Sequence, residues 1–334
     1  MNMYILLAFL LLFVPLFFHV PNEKQTFSFM SMEYTTTLRA VAILMIMQQH
    51  LSGFVFGSRI FTPFGGGGVA IFLIISGFGL TVSARKKGVS DFWKKKFVRV
   101  FLPWMLVWLI MTLLNVGSFQ IGTILTLFTP NWFLQYLLVC YIVFYVSYKW
   151  MYRYRWGLLV LFVLATFFFW GSIQAEQCCS FQIGVLLAES ESFFCRVKEN
   201  IKKLLVVSLL IFTITLVLKQ VGAVRVLMED NFLMEHALNL VLKMSLGIFV
   251  MMSCAVLFRY IGGKYAQIIG KMSYELYLVH LSLVIGLCYQ VGAKPLVQIV
   301  VFFVVSFVAS WILYHADNNI LKVYSKYIDK KANE

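Results

Sequence analysis

Hydrophobic positions along this chain fall in long unbroken runs, not in the period-two alternation of a half-buried strand. A helix that crosses a bilayer needs about 20 mostly apolar residues. Eleven stretches meet or approach that length: about 3–20, 38–57, 67–84, 98–117, 131–149, 156–170, 173–189, 203–218, 237–258, 272–290 and 296–315. Their boundaries are least marked between 156 and 189, where the apolar run is nearly continuous. The pattern predicts an all-α fold, a polytopic transmembrane helix bundle with short loops and no internal repeat. The first run, Tyr4 to His19, has no basic leader and no small-residue cleavage site. It is therefore expected to stay as a helix and not to be removed as a signal.

Composition sharpens this. Of 334 residues, 61% are apolar and 13% charged, and the mean hydropathy is +0.86. Soluble domains carry about 25% charged residues, so a soluble globule is excluded. The formal charge of +14 would suggest nucleic acid in a soluble protein, but here the basic residues sit in short tracts between apolar runs. That placement is a topology signal, and no nucleic-acid partner is expected. The tracts are Arg85 to Arg99 (with Lys94, Lys95 and Lys96), Lys149 to Arg155, Arg196 to Lys203, Arg259 to Lys271, and Lys322 to Lys331. These alternate loops hold 21 of the 28 Lys and Arg residues, while the opposite set holds Arg59, Lys219, Arg225 and Lys294. By the positive-inside rule the heavy loops and the C-terminus face the cytoplasm, and eleven spans put Met1 outside. The six cysteines form no CxxC or Cys/His cluster, so no metal site is expected.

Ionisable groups inside a bilayer are costly and mark function by default. The second run carries Arg39 and His50. Eleven residues of helix separate them, so they share a face to within about 20° and lie about 16.5 Å apart along the axis. An Arg that snorkels to headgroups and a His bonded within the bundle is the plainer account of the same spacing. The tenth run places Ser273, Tyr277 and His280 on one stripe, with Glu275 pointing elsewhere; neighbouring helices alone could satisfy such a stripe. Four glycines, Gly65 to Gly68, enter the third run, and Ser76-Gly77 lie within it. They suit close backbone approach, and no GK[ST] follows to make a phosphate loop. His19 and His315 sit at helix ends, and His236 lies at an outer boundary beside Glu235.

These segments together resemble the membrane acyltransferase-3 family, whose members move acyl groups onto carbohydrates and other acceptors. The family's Arg and His, ten residues apart in its first helix, are met by Leu38-Arg39-Ala40 through His50. Its glycine-to-SGF segment is met by Gly68-Val69-Ala70-Ile71-Phe72 and Ser76-Gly77-Phe78, and its basic tract before a proline by Phe97 through Arg99 to Pro103. Asn131-Trp132-Phe133-Leu134 match its Trp-Phe-Leu helix start, and Ser273-Tyr274, Tyr277-Leu278 and His280 its late helix. Two positions depart. Ala70 stands where the family is often polar, and Lys95, Lys96 and Arg99 stand where it often has paired arginines. The resemblance implies a ten-helix core plus one extra N-terminal helix. It divides the chain into 1–32, the extra helix and linker; 33–318, the acyltransferase domain; and 319–334, a basic cytoplasmic tail.

The resemblance further implies an acyl-CoA donor, acetyl-CoA above all, and a carbohydrate acceptor at a cell-surface or secreted polysaccharide or its lipid-linked precursor. The protein would then be a multi-pass enzyme of the plasma membrane, in contact with membrane lipid. Arg39, with Arg99, Lys95 and Lys96, would hold the donor's phosphates. His50, with Arg39, is the catalytic candidate, and Ser76, Trp132, Ser273, Tyr277 and His280 are substrate-binding or supporting candidates. A histidine suits proton abstraction from a hydroxyl, and it equally suits carrying the acyl group. The residues leave that choice open. The rival class is a transporter or flippase without acyl-transfer chemistry. It would need broken helices in corresponding halves, and the Gly and Pro interruptions show no such symmetry.

Overall fold

In the computed structural model the described residues are 3–18, 27–113, 132–281, 288 and 294–333. Among them the regular elements are helices. They are α1 (Met3–Phe13, extended by a 3₁₀ turn over Val14–Phe17), α2 (Met32–His50), α3 (Thr62–Lys87), α4 (Phe92–Lys96), α5 (Leu102–Leu113) and α6 (Trp132–Lys149). Then come α7 (Arg155–Phe169), α8 (Ser172–Ala175), α9 (Ser180–Glu189), α10 (Glu191–Glu199), α11 (Ile201–Leu218) and α12 (Gly222–Asp230). The chain closes with α13 (Phe232–Val256), α14 (Phe258–Ile261), α15 (Lys264–Lys271), α16 (Ser273–Val279) and α17 (Pro295–Asn333). Seven helical stretches are long and apolar enough to cross a bilayer: Met32–Val55, Thr62–Lys87, Trp132–Lys149, Tyr152–Phe169, Ile201–Leu218, Phe232–Val256 and Pro295–Ile320. Of the other four expected runs, the first is the shorter apolar helix Met3–Phe17, and 173–189 is split by a turn before Ser180. The runs 98–117 and 272–290 extend into residues outside those described, as do His19 and Asn131.

Helix α2 begins six residues before its apolar run. Ser31 caps it, accepting the Tyr34 N–H at 3.2 Å. Thr35, Thr36 and Thr37 donate their hydroxyls back to the carbonyls of Ser31, Met32 and Glu33 at 2.9, 2.7 and 3.1 Å. With those hydroxyls satisfied inside the helix, the polar turn is buried against α15, where a Cβ on Gly270 would strike the Thr36 carbonyl.

Helices α3 and α9 cross backbone to backbone. A Cβ at Gly77 would collide with the Phe181 carbonyl, and one at Gly184 with the Ile74 carbonyl. Small residues at such crossings let dispersion forces hold helices together where lipid removes the hydrophobic drive. The four glycines do the same at the start of α3: Gly68 meets the Ala42 carbonyl on α2, while Gly67 meets Leu246 on α13.

Polar contacts sort the helix ends as the charge pattern does. At the basic end, Arg85 donates to the Ala188 carbonyl at 2.7 Å, and Glu189 accepts from Arg155 at 2.7 Å and Tyr148 at 2.6 Å. At the far end, Glu176 pairs with Lys243, Lys219 donates to the Asn239 side chain, and Gln177 donates to the Gly66 carbonyl at 3.0 Å.

Replacing Gly184 or Gly77 by Ala should therefore lower stability by about 1–3 kcal/mol, the usual penalty of overpacking. Gly79→Ala on the same helix, where a Cβ meets open space, should leave it unchanged. Thermal unfolding of the three variants in detergent checks this.

Candidate active site

Two clusters lie along α2. The first is at its far end. His50 is half-buried at the last α-helical turn, and its Nδ1 lies 2.8 Å from Nε2 of the fully buried His280. The two rings stack, with centroids 5.1 Å apart and planes inclined by 15°. His280 Nδ1 in turn lies 2.7 Å from the Leu276 carbonyl, one helical turn back. A carbonyl only accepts, so His280 Nδ1 carries the proton and, in the neutral ring, its Nε2 offers a lone pair. His50 Nδ1 must donate to that lone pair. The remaining nitrogen, His50 Nε2, is then the basic atom of the pair.

Aromatic rings wall the dyad. Phe54 lies 5.6 Å from His50, while Tyr277 and Phe302 stand 5.9 and 6.4 Å from His280. Phe133 packs edge-on against Tyr277 at 4.9 Å, and Trp132 against Phe133 at 6.1 Å. Trp132 and Tyr277 thus reach the dyad through one chain of rings. Ser273 is buried about two turns before His280, at the start of α16.

The second cluster surrounds Arg39, three turns towards the basic end. Arg99 and Tyr141 lie within electrostatic range of Arg39, and Lys96 within range of both arginines. Lys96 Nζ sits 4.4 Å from the centre of the Tyr141 ring, and the Ser76 side chain lies close to the Tyr141 hydroxyl. Ser76 therefore belongs to this cluster and not to the dyad. Lys95 is exposed on the same short helix. Burial, reinforced by the neighbouring charges of Arg99 and Arg39, pushes the Lys96 ammonium down to about 8. None of the three cations is ion-paired to a carboxylate among the described residues; the pairs there are Lys94–Asp91, Arg155–Glu189 and Lys243–Glu176. Three cations gathered without a counter-charge have the chemistry to hold an anion.

Wider π turns fall on or beside three of the candidate residues. A wider π turn, Leu51–Val55, follows His50 directly; another, Phe97–Phe101, carries Arg99; a third begins at His280. Such turns insert a residue and re-aim the side chains around them. The Tyr274 hydroxyl donates to the Val100 carbonyl at 2.7 Å, which ties the helix of His280 to the turn of Arg99.

Sequence reasoning found both histidines and all three cations but not their pairings. His50 and His280 are 230 residues apart, and nothing local links them. Tyr141 was missed, as was the Glu176–Lys243 pair. The second had a signal: opposite charges inside two different apolar runs.

The tautomer assignment is directly measurable. In 15N-histidine spectra, His50 should show a pyrrole-type Nδ1 and a pyridine-type Nε2. His280→Leu, which removes the acceptor, should mix the two tautomers, whereas His280→Gln, whose amide oxygen still accepts, should keep one.

The family described as an acyltransferase domain matches residues 32–315. No curated protein and no solved structure matches the chain. The matched segment starts at the first residue of α2 and ends within α17. It contains both histidines and all three cations and leaves α1 outside. With so much of its length matched and seven helices able to span a bilayer, this chain belongs to the membrane acyltransferase-3 family and is an integral membrane acyltransferase.

Proposed function

We propose that the protein transfers an acetyl group from acetyl-CoA, bound from the cytoplasmic side, to a hydroxyl of a cell-envelope polysaccharide or its lipid-linked precursor. The observation that carries this reading is the spacing of the two clusters on one helix. Arg39 and His50 lie on the unbroken α2, so about 16.5 Å of helix axis separates them. The pantetheine arm of CoA runs about thirteen bonds from its pyrophosphate to sulfur, which at about 1.2 Å of advance per bond is ~16 Å. Phosphates held by Arg39, Lys96 and Arg99 would leave the thioester beside His50. The weight of basic loops at the Arg39 end supports a cytoplasmic donor, a cytoplasmic C-terminus and a plasma-membrane setting.

Direct transfer then needs one atom of the protein to move a proton. His50 Nε2 takes the proton of the acceptor hydroxyl as its oxygen forms the bond to the thioester carbon. The C–S bond breaks, and the CoA sulfur leaves with the proton returned by Nε2. The Nδ1–H···Nε2 bond to His280 holds the ring in that orientation and shares the positive charge that develops on it. A two-step route, with the acyl group first on Nε2, uses the same nitrogen and the same orientation. Either route explains why one nitrogen is tied back and the other is free.

His50→Ala should abolish transfer of radiolabel from acetyl-CoA to surface glycan, with a loss of ~10²- to 10⁴-fold. It should leave acetyl-CoA titration of the purified protein nearly unchanged. Near-normal turnover in folded His50→Ala protein would sink the reading.

Donor binding should also follow the titration of Lys96. Below pH 8 its ammonium is charged and ready for phosphate; above about 8 it is neutral. Bound phosphate favours the charged form and so raises its pKa. Acetyl-CoA binding at pH 8.5 should therefore take up protons, and binding at pH 6.5 should take up none on this account. Calorimetry in buffers of different ionisation enthalpy measures the uptake, and Lys96→Gln should remove it.

A further inference from the structure

We infer that the N-terminal helix α1, which lies outside the family segment, is a working part of the active site, and that Gln48 is the positioning residue through which it acts. The inference rests on His50 as the reacting residue. Ile5, Ala8, Leu12 and Leu16 form one buried stripe along Met3–Phe17, at spacings of a helical face, and α1 packs along α2. Gln48 stands two residues before His50 and is fully buried. Its Nε2 donates to the Ile5 carbonyl at 3.2 Å and to Ser52 Oγ at 3.2 Å. The amide orientation is not free: turned over, its oxygen would face the Ile5 carbonyl, and two acceptors would meet.

The two acceptors lie on different elements. Ile5 belongs to α1, and Ser52 to the π turn that starts one residue after His50. One carboxamide thus fastens the α-to-π switch of the catalytic helix to a neighbouring helix. Further along, Phe9 stacks on Phe61 at 5.7 Å and approaches Phe64 at 6.3 Å, and Tyr4 stacks on Phe56 at 6.5 Å. Helix α1 therefore touches the connection from His50 to α3 at Phe56 and Phe61, just beyond the turn that sets Phe54 beside the His50 ring. Without that hold the π turn can slip to α geometry, which turns the residues after it against His50 and loosens the packing that sets its ring against His280 Nε2.

The test uses the full-length protein. Gln48→Met keeps the bulk and removes both donors. It should lower kcat about tenfold to a hundredfold, the range expected when a reacting group is misplaced by ~1 Å. The KM for acetyl-CoA should hold, because the donor's phosphates bind three turns away. Phe9→Leu, a milder change that loosens α1 without touching Gln48, should lower kcat severalfold in the same direction. In 15N-histidine spectra both variants should turn the single His50 tautomer into a mixture. A merely structural role predicts lower yield and thermal stability, with the tautomer and the turnover per folded molecule unchanged; that result would overturn the inference. So would fully active purified protein whose mass shows that residues 1–20 have been removed. Should the wild-type chain transfer no acyl group at all, the proposed function fails, while the tautomer spectra still decide the tether.

Discussion

The hydrogen bond from His280 Nδ1 to the Leu276 carbonyl gives the site its direction. A backbone carbonyl inside a helix cannot change its role from acceptor to donor, and everything downstream inherits that fixity. His280 must present a lone pair, His50 must spend its Nδ1 proton on it, and the lone pair left to the dyad is on His50 Nε2. A carboxylate in the place of His280 would orient His50 as well, but it would bring a charge into a low-dielectric bundle. Two neutral rings achieve the orientation with no charge to neutralise.

That arrangement depends on helices that stay in place without hydrophobic force to press them together. Glycines at the α3–α9 crossing and at the start of α3 supply the close fit, and polar groups at both ends supply the fasteners. Among the described residues the π turns lie directly after His50, around Arg99 and at His280. A well-packed frame with wider backbone turns beside the candidate residues is the usual division between stability and function.

Much of this was legible in the sequence because it is periodic. Apolar run length gave the bundle, and the 3.6-residue repeat put Arg39 and His50 on one face. The glycine run pointed to close approach, and its partners turned out to be the Ala42 carbonyl and Leu246. What was not legible is what depends on distant parts of the chain. No spacing rule joins His50 to His280, or Lys96 to the Tyr141 ring. The π turns were hidden for another reason: an extra residue in a helical turn leaves the apolar pattern almost unchanged. Helix α2 was read as starting too late because its first turn is polar. Its threonines are buried all the same, since each returns its hydroxyl to the helix's own backbone.

The Glu176–Lys243 pair has a consequence for how the chain is made. Glu176 leaves the ribosome well before Lys243, and the apolar helix α11 comes between them. Until α13 arrives, the carboxyl group in the segment leading into α9 lacks its ion-pair partner, and the charge of Lys219, just after α11, reaches it first. Burial of that carboxyl group at the far end of the bundle is therefore completed late in synthesis, after both α11 and α13 have followed α9.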